Sequence, residues 1–299
     1  MSAFRGSAAL AASAILALSA SAGPPSLRVA TLNTVLTEIA REVGGREVEV
    51  VGLVAPGVDP HAFNPSPADI ASVVDADVVL ASGLNMETYL DRLAAVVGPR
   101  GRLVAVGDGL ASPIAMPPAA GRAERDPHWW HSIANMLAAV ERVRVEFARA
   151  RPGQSGVFAA NAADYSARLR ELGSWAGGEI AMLPAERRVL VTSHDAFGYF
   201  ARDYGFRILA ISGLSTESEA DARNVARLID LIRRERVGAV FAESSVDPRL
   251  VENLVRETGV RLGGTLYADG LGPRGSGAET YDSMYRHNVL AIVGALAPR

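Results

Sequence analysis

Five histidines are the residues of this 299-residue chain that are best suited to carry chemistry: His61, His128, His131, His194 and His287. A lone histidine is more often a surface or packing residue than a ligand, so its position along the chain must distinguish these roles. The chain contains no cysteine, which excludes disulfides, thiolate metal sites and cysteine nucleophiles. Any metal site must therefore be built from imidazoles and carboxylates.

Three polar residues come shortly after predicted strands. His194 follows a strand over 189–192, Asp269 follows a strand ending at Leu266, and His61 lies in the loop after a strand over 48–54. In open parallel sheets, ligands bind outside the carboxyl ends of the strands. His128 differs, because it lies in a loop just before a long predicted helix.

These four residues suit one particular chemistry. Three imidazoles and one carboxylate match the nitrogen and oxygen donors that Zn²⁺ favours in four-coordinate sites. Two of the four fall in each half of the chain, which favours a site between two lobes. Four protein ligands leave no open position for water, so such a site would carry or store metal rather than catalyse a reaction.

The elements that must position these residues alternate between short apolar strands and helices, which predicts an α/β fold with mostly parallel sheets. The predicted strands are 27–32, 48–54, 77–81, 103–106, 189–192, 207–211, 239–242 and 261–266. The predicted helices are 34–43, 66–74, 87–97, 132–149, 157–182, 196–204, 222–234, 249–258 and 280–296, with a loop over 111–125. We expect an N-terminal metal-binding lobe over 23–152, a linking helix over 153–184 and a C-terminal metal-binding lobe over 185–299.

The first residues have the pattern of a secretory signal peptide. A basic Arg5 precedes an apolar run over 8–18, which is shorter than the roughly 18 residues that suggest a membrane span, and small residues then lead to Ala22. We therefore expect residues 1–22 to be cleaved near Ala22 and the mature protein to be periplasmic. A formal net charge of −3 argues against a nucleic-acid partner.

An exported zinc hydrolase is the rival class, and the motifs do not favour it. The chain has no His-Glu-x-x-His segment and no glycine-rich phosphate loop after its first predicted strand. Ser193, His194 and Asp195 are consecutive, so their side chains diverge and cannot form a triad. We expect that the protein is not an enzyme; a metal-dependent adhesin is a further, weaker alternative.

The sequence resembles the zinc/manganese solute-binding proteins of ABC transporters (cluster A-I metal receptors) along essentially the whole mature chain. The segments that carry the resemblance are Pro60-His61-Ala62-Phe63-Asn64-Pro65, Asp126-Pro127-His128-Trp129-Trp130, Thr192-Ser193-His194-Asp195-Ala196-Phe197-Gly198-Tyr199-Phe200, Phe241-Ala242-Glu243-Ser244-Ser245 and Tyr267-Ala268-Asp269-Gly270-Leu271-Gly272. The resemblance implies two lobes joined by a rigid helix, and metal ligation by His61, His128, His194 and Asp269. It also implies a monomer that works with an ABC permease and its ATPase, and a periplasmic metallochaperone is a candidate further partner.

The metal itself is left between two candidates. Zinc-binding relatives have histidine at the position of His194, whereas many manganese-binding relatives have glutamate, so zinc is favoured and Mn²⁺ stays the alternative. Histidine at this position also occurs in receptors of either metal. This chain departs from many zinc receptors because its loop over 111–125 contains no histidine, and from many relatives because His131 stands where they have an acid.

The remaining candidates have competing roles. For His131 we favour a helix-entry or surface role over an accessory role at the metal, and for His287 a packing or surface role. Glu243 is equally compatible with orienting a ligating imidazole and with a helix N-terminus. We expect Asp195 to cap the following helix. The aromatic residues Phe63, Trp129 and Trp130 are expected to wall the site.

Overall fold

The computed structural model describes residues 26–98, 101–119, 122–217 and 222–298. The predicted signal peptide over 1–22 lies outside these residues. Within them, no helix is both long and apolar enough to cross a membrane. We call the elements before the longest helix the N-terminal lobe and those after it the C-terminal lobe.

The N-terminal lobe is built on a four-stranded parallel sheet with strand order β2-β1-β3-β4. Its elements are β1 (Leu27–Thr31), α1 (Thr34–Gly44), β2 (Val48–Gly52), α2 (Pro67–Val74), β3 (Val78–Ala81), α3 (Leu90–Ala94) and β4 (Arg102–Ala105). All four residues of β3 are buried, as expected for a central parallel strand with both faces covered. The Ser66 side chain caps α2, and Asp69 completes a capping box.

Two elements of this lobe differ from the sequence prediction. The helix predicted over 87–97 is shorter, because the Glu87 carboxylate instead accepts the backbone N–H groups of Ser82 and Gly83 at 2.6 and 3.0 Å. The predicted loop over 111–125 contains an antiparallel hairpin, β5 (Ala115–Ala119) and β6 (Arg122–Arg125). Its proline-rich composition concealed the strands.

Two helices follow, α4 (Ile133–Ala150) and the 27-residue α5 (Ser155–Ala181). Ser132 caps α4 by accepting the N–H of Asn135. At ~1.5 Å per residue α5 is about 40 Å long. It packs against α1, α4 and α9, so it contacts helices of both lobes.

The C-terminal lobe contains two parallel strand pairs, β7 with β8 and β9 with β10. Its elements are β7 (Val189–Thr192), α6 (Gly198–Tyr204), β8 (Arg207–Ala210), α7 (Ala222–Glu235), β9 (Ala239–Glu243), α8 (Arg249–Thr258), β10 (Arg261–Leu266) and α9 (Tyr281–Leu296). The expectation that Asp195 caps the next helix is wrong: α6 begins after Phe197, and no side chain caps it. A hydrophobic cluster runs from β1 and α1 through α4 and α5 to α9. The predicted α/β fold class with parallel sheets and a long helix is confirmed.

Candidate metal centre

The structure brings His61, His128, His194 and Asp269 together in one buried cluster. The Nε2 atom of His128 lies 3.1 Å from Nε2 of His61 and 3.3 Å from Nε2 of His194. The Oδ1 atom of Asp269 lies 3.4, 3.4 and 3.2 Å from Nε2 of His61, His128 and His194. All four ligand atoms lie within 4.8 Å of one another, and no side chain is more than 7% exposed.

These distances match the edges of a tetrahedron around a small cation. Ligand atoms placed about 2.0–2.1 Å from a tetrahedral Zn²⁺ are about 3.3–3.4 Å apart. Five of the six separations in the cluster are 3.1–3.4 Å. The sixth separation, between Nε2 of His61 and Nε2 of His194, is within 4.8 Å, so the residues approach the geometry of a four-coordinate site.

The second ring nitrogens of two histidines are held by carboxylates. Nδ1 of His128 lies 2.8 Å from Oδ1 of Asp126, and Nδ1 of His194 contacts Oε2 of Glu243. The same carboxylates accept the backbone N–H groups of His128 and His194 at 2.9 and 3.1 Å. Because each Nδ1–H donates outward, the Nε2 lone pairs of the neutral rings point into the cluster. Of the two roles considered for Glu243, this geometry supports orienting His194.

Asp269 presents an unsatisfied oxygen to these lone pairs. Its Oδ2 accepts the hydroxyl of Ser245 at 2.5 Å, whereas its buried Oδ1 accepts no hydrogen bond from the described residues. Burying a carboxylate oxygen without a hydrogen-bond partner costs free energy, and the cost is greater here because three inward-pointing nitrogens face that oxygen. The cluster therefore requires a proton or a metal cation at its centre.

The protonation equilibria show the same demand for positive charge. Burial alone would lower the pKa of the His128 imidazole, but its contacts with Asp126 and Asp269 outweigh burial and raise it. Burial is likewise outweighed at His194, where the charges of Asp269 and Glu243 raise the pKa well above its usual value. Burial would raise the pKa of Asp269, yet the charge of His194 and the neighbouring imidazoles hold it well below its usual range.

His131 is buried, which the preferred surface or helix-entry interpretation did not anticipate. Its Nε2 lies 2.8 Å from the carbonyl oxygen of Ala268, which also accepts Nε1–H of Trp130 at 2.9 Å. Burial lowers the pKa of His131 to about 3, so the ring is neutral and donates to this carbonyl. Two side chains preceding α4 thus hold the peptide next to Asp269.

The other sequence candidates take different positions. Trp130 packs edge-on against His128, with ring centroids 5.5 Å apart, and Trp129 donates to the carbonyl of Ser82 at 3.2 Å. Phe63 contacts Tyr89. His287 is half-buried, and its Nε2 lies 2.9 Å from the carbonyl oxygen of Thr265, which agrees with a packing role.

Sequence reasoning missed three residues that support the cluster. Asp126 orients His128, Ser245 binds Asp269, and Asn33 donates to the Asp269 carbonyl at 3.4 Å. Asp126 could have been found, because a carboxylate two residues before a histidine can reach its backbone N–H in a tight turn. Asn33 lies 236 positions away from Asp269, and no local pattern indicates that contact.

The protein has a two-lobed α/β fold with a buried cluster of three histidines and one aspartate between the lobes, and this arrangement defines a class of metal-binding proteins. Three comparisons with known proteins agree with this class. Residues 29–295 match the family model described as zinc-uptake complex component A, periplasmic. The manganese-binding lipoprotein MntA of Bacillus subtilis is 38% identical over 275 residues, covering 90% of each chain. The zinc-binding protein TroA of Treponema pallidum is 34% identical over 274 residues, covering 90% of this chain and 88% of its own.

A solved structure of periplasmic zinc-binding TroA from Treponema pallidum has a TM-score of 0.86 and 32% identity, covering 92% of this chain and all of that one. The chain belongs to this family, the cluster A-I metal-binding solute-binding proteins of ABC transporters. Family members work with an ABC permease and its ATPase. Metal ligation by the four residues of the cluster stays a prediction.

Proposed function

We propose that this protein is a periplasmic receptor that captures Zn²⁺ with His61, His128, His194 and Asp269 and delivers it to an ABC-type importer. The observation that carries the proposal is the buried Oδ1 of Asp269, which faces three Nε2 atoms at 3.2–3.4 Å and accepts no hydrogen bond from the described residues. A divalent cation at this point satisfies the carboxylate oxygen and all three nitrogen lone pairs at once.

Zinc fits this donor set better than manganese. Zn²⁺ accepts a tetrahedral set rich in imidazole, whereas Mn²⁺ suits carboxylate, carbonyl and water oxygens in six-coordinate sites. Only one side-chain oxygen belongs to the cluster formed by the described residues. A manganese or mixed-metal receptor is the second candidate, and the likeness to the manganese-binding lipoprotein of Bacillus subtilis favours it.

Four protein ligands would fill the coordination shell of a bound zinc ion, which agrees with a transport role rather than with catalysis. Four protein ligands around a tetrahedral zinc leave no vacant position at which water could be activated. We therefore infer that the protein has no hydrolase activity, that the lobes over 23–152 and 185–299 each supply two ligands, and that the segment over 153–184 links them. The periplasmic location follows from the predicted signal over 1–22.

A metal-competition experiment tests the proposal. The protein is stripped with a chelator and titrated with Zn²⁺ and Mn²⁺, separately and in competition, with metal content measured by elemental analysis. We expect one zinc per chain and displacement of bound manganese by equimolar zinc. Manganese that resists zinc would establish the second candidate instead.

Two histidine variants separate ligation from general effects of substitution. His194→Ala should lose most of the zinc affinity while the fold survives. The matched control is His287→Ala, because His287 is half-buried and contacts Thr265 and Tyr267 rather than the cluster. Equal zinc affinity in His194→Ala and in the wild-type protein would refute the assignment of the site.

A further inference from the structure

The four clustered side chains are supported unequally. Nδ1 of His128 and of His194 each contacts a buried carboxylate, and Asp269 is held through Ser245. Among the described residues the polar contacts of the His61 ring all go through Nε2, and its Nδ1 has no hydrogen-bond partner there. Three of the four ligand groups are thus held in place by neighbouring side chains, and the fourth is not.

His61 also lies nearest to solvent. It is 7% exposed, compared with 0% for both His128 and His194 and 4% for Asp269. It is carried by the loop between β2 and α2, in which residues 55–58 are all exposed. The imidazole whose ring is not held by a neighbouring carboxylate is therefore also the one nearest to solvent.

A single carboxylate positions the backbone of His61. Oδ1 of Asp59 accepts the His61 backbone N–H at 2.8 Å, and Oδ2 of Asp59 accepts the hydroxyl of Thr216 at 2.6 Å. Thr216 belongs to the C-terminal lobe, in the segment that follows β8. Asp59 therefore connects a ligand-bearing loop of one lobe to a loop of the other.

The loop that carries Thr216 is itself attached to the residues on either side of His194. The Ser212 backbone N–H and hydroxyl both donate to the carbonyl of Ser193 at 3.0 Å, and the carbonyl of Gly213 accepts the Asp195 N–H at 3.0 Å. Hydrogen bonds, together with the short chain segment 213–216, thus connect His61 through Asp59 and Thr216 to the segment of His194. It joins two clustered histidines of opposite lobes without passing through the metal position.

We propose that Asp59 and Thr216 form a cross-lobe latch that holds His61 over the metal and sets the rate at which the metal leaves. This inference rests on the proposed function, because it takes the cluster as the metal site. Asp59 and Thr216 are positioning residues: they act on the metal through the backbone of His61 and do not ligate it. Breaking the latch leaves three supported ligands, so the main effect falls on dissociation rather than on folding.

The experiment measures zinc release directly. Zinc-loaded protein is mixed in a stopped-flow instrument with an excess of a chromophoric chelator, and the dissociation rate is recorded. Thr216→Val keeps the side-chain shape but removes the hydroxyl, and it should accelerate release about tenfold, as expected for losing a half-buried hydrogen bond to a carboxylate. Thr216→Ser restores a hydroxyl and should return the rate to within about twofold of wild type.

Ser215→Ala is the matched control in the same loop, because within the described part of the chain the Ser215 hydroxyl accepts just the nearby Glu217 N–H, at 3.2 Å. It should release zinc at the wild-type rate. Asp59→Ala should accelerate release at least as much as Thr216→Val, and the double variant should match Asp59→Ala alone, since one connection is broken in both. Melting curves of the metal-free variants check that each one folds.

Three results would overturn the latch: wild-type release from Thr216→Val, equal acceleration by Ser215→Ala, or multiplying effects in the double variant. These outcomes differ from a failure of the proposed function. In that case the wild-type protein would hold no zinc, and no release would be observed with any variant.

Discussion

Replacing Glu243 with glutamine tests whether the carboxylate behind His194 contributes to metal binding. Glu243 is 3% exposed, contacts Nδ1 of His194 and accepts the His194 backbone N–H at 3.1 Å. Glutamine has nearly the same shape and can still accept one hydrogen bond, but it removes the charge that increases the basicity of the imidazole. Loss of such an outer partner typically reduces metal affinity about 10–100-fold.

This loss of affinity converts into a measurable change in thermal stability. Zinc stabilises the folded protein according to its concentration relative to Kd, so a 10–100-fold weaker affinity reduces the stabilisation by about 1.4–2.7 kcal/mol at saturating zinc. At about 2 °C per kcal/mol for a chain of this size, the zinc-induced increase in melting temperature should shrink by about 3–5 °C.

Calorimetric melts with and without zinc, together with a chelator competition for Kd, measure both quantities. Glu171→Gln is the matched control, because it removes the same charge from an exposed position on α5. The reasoning fails if Glu243→Gln keeps the wild-type Kd, or if it lowers the metal-free melting temperature as much as the zinc-bound one.

Three further predictions concern pH and two glycines. Because the pKa values of His128 and His194 are raised, their contribution to metal-free stability is complete below about pH 6.5 and is lost as pH rises through the raised values. Zinc affinity should instead fall as pH decreases through that same range, which begins above about 6.5. Melts across pH with and without zinc should therefore show opposite trends. Gly270→Ala should lower the free energy of unfolding by about 1–3 kcal/mol and weaken zinc binding, because Gly270, which follows Asp269 in the chain, has φ +154° and a Cβ there would collide with the Thr34 hydroxyl; unchanged urea unfolding and Kd would contradict this. Gly178→Ala should stabilise α5 by about 0.5–1 kcal/mol without changing Kd, because a Cβ there meets no atom within 4 Å, and a lower unfolding midpoint would oppose it.

Much of the fold was predictable because it depends on local patterns. The predicted bounds of β7, α8 and β10 agree with the structure, and the cap of α2 was readable from Ser66 and Pro67. The hairpin of β5 and β6 was not, since its proline- and glycine-rich sequence resembles a loop. The shortened α3 was also missed, because the Glu87 side chain bonds backward to Ser82 rather than extending the helix.

The sequence by itself determined which residue types were available for a metal and placed three candidate ligands shortly after predicted strands. Five histidines and no cysteine restrict the chemistry of a metal site before any coordinate is known. That inference depends only on composition and on short-range periodicity, both of which are properties of the chain itself.

Only the tertiary structure decided the arrangement of these residues. It set the 3.1–3.4 Å separations, the outward direction of Nδ1 in His128 and His194, and the burial of His131. It also paired Asp59 with Thr216 across 157 positions. Such contacts result from the packing of two lobes against one shared core, and no interval along the chain specifies which side chains that packing brings within hydrogen-bonding distance.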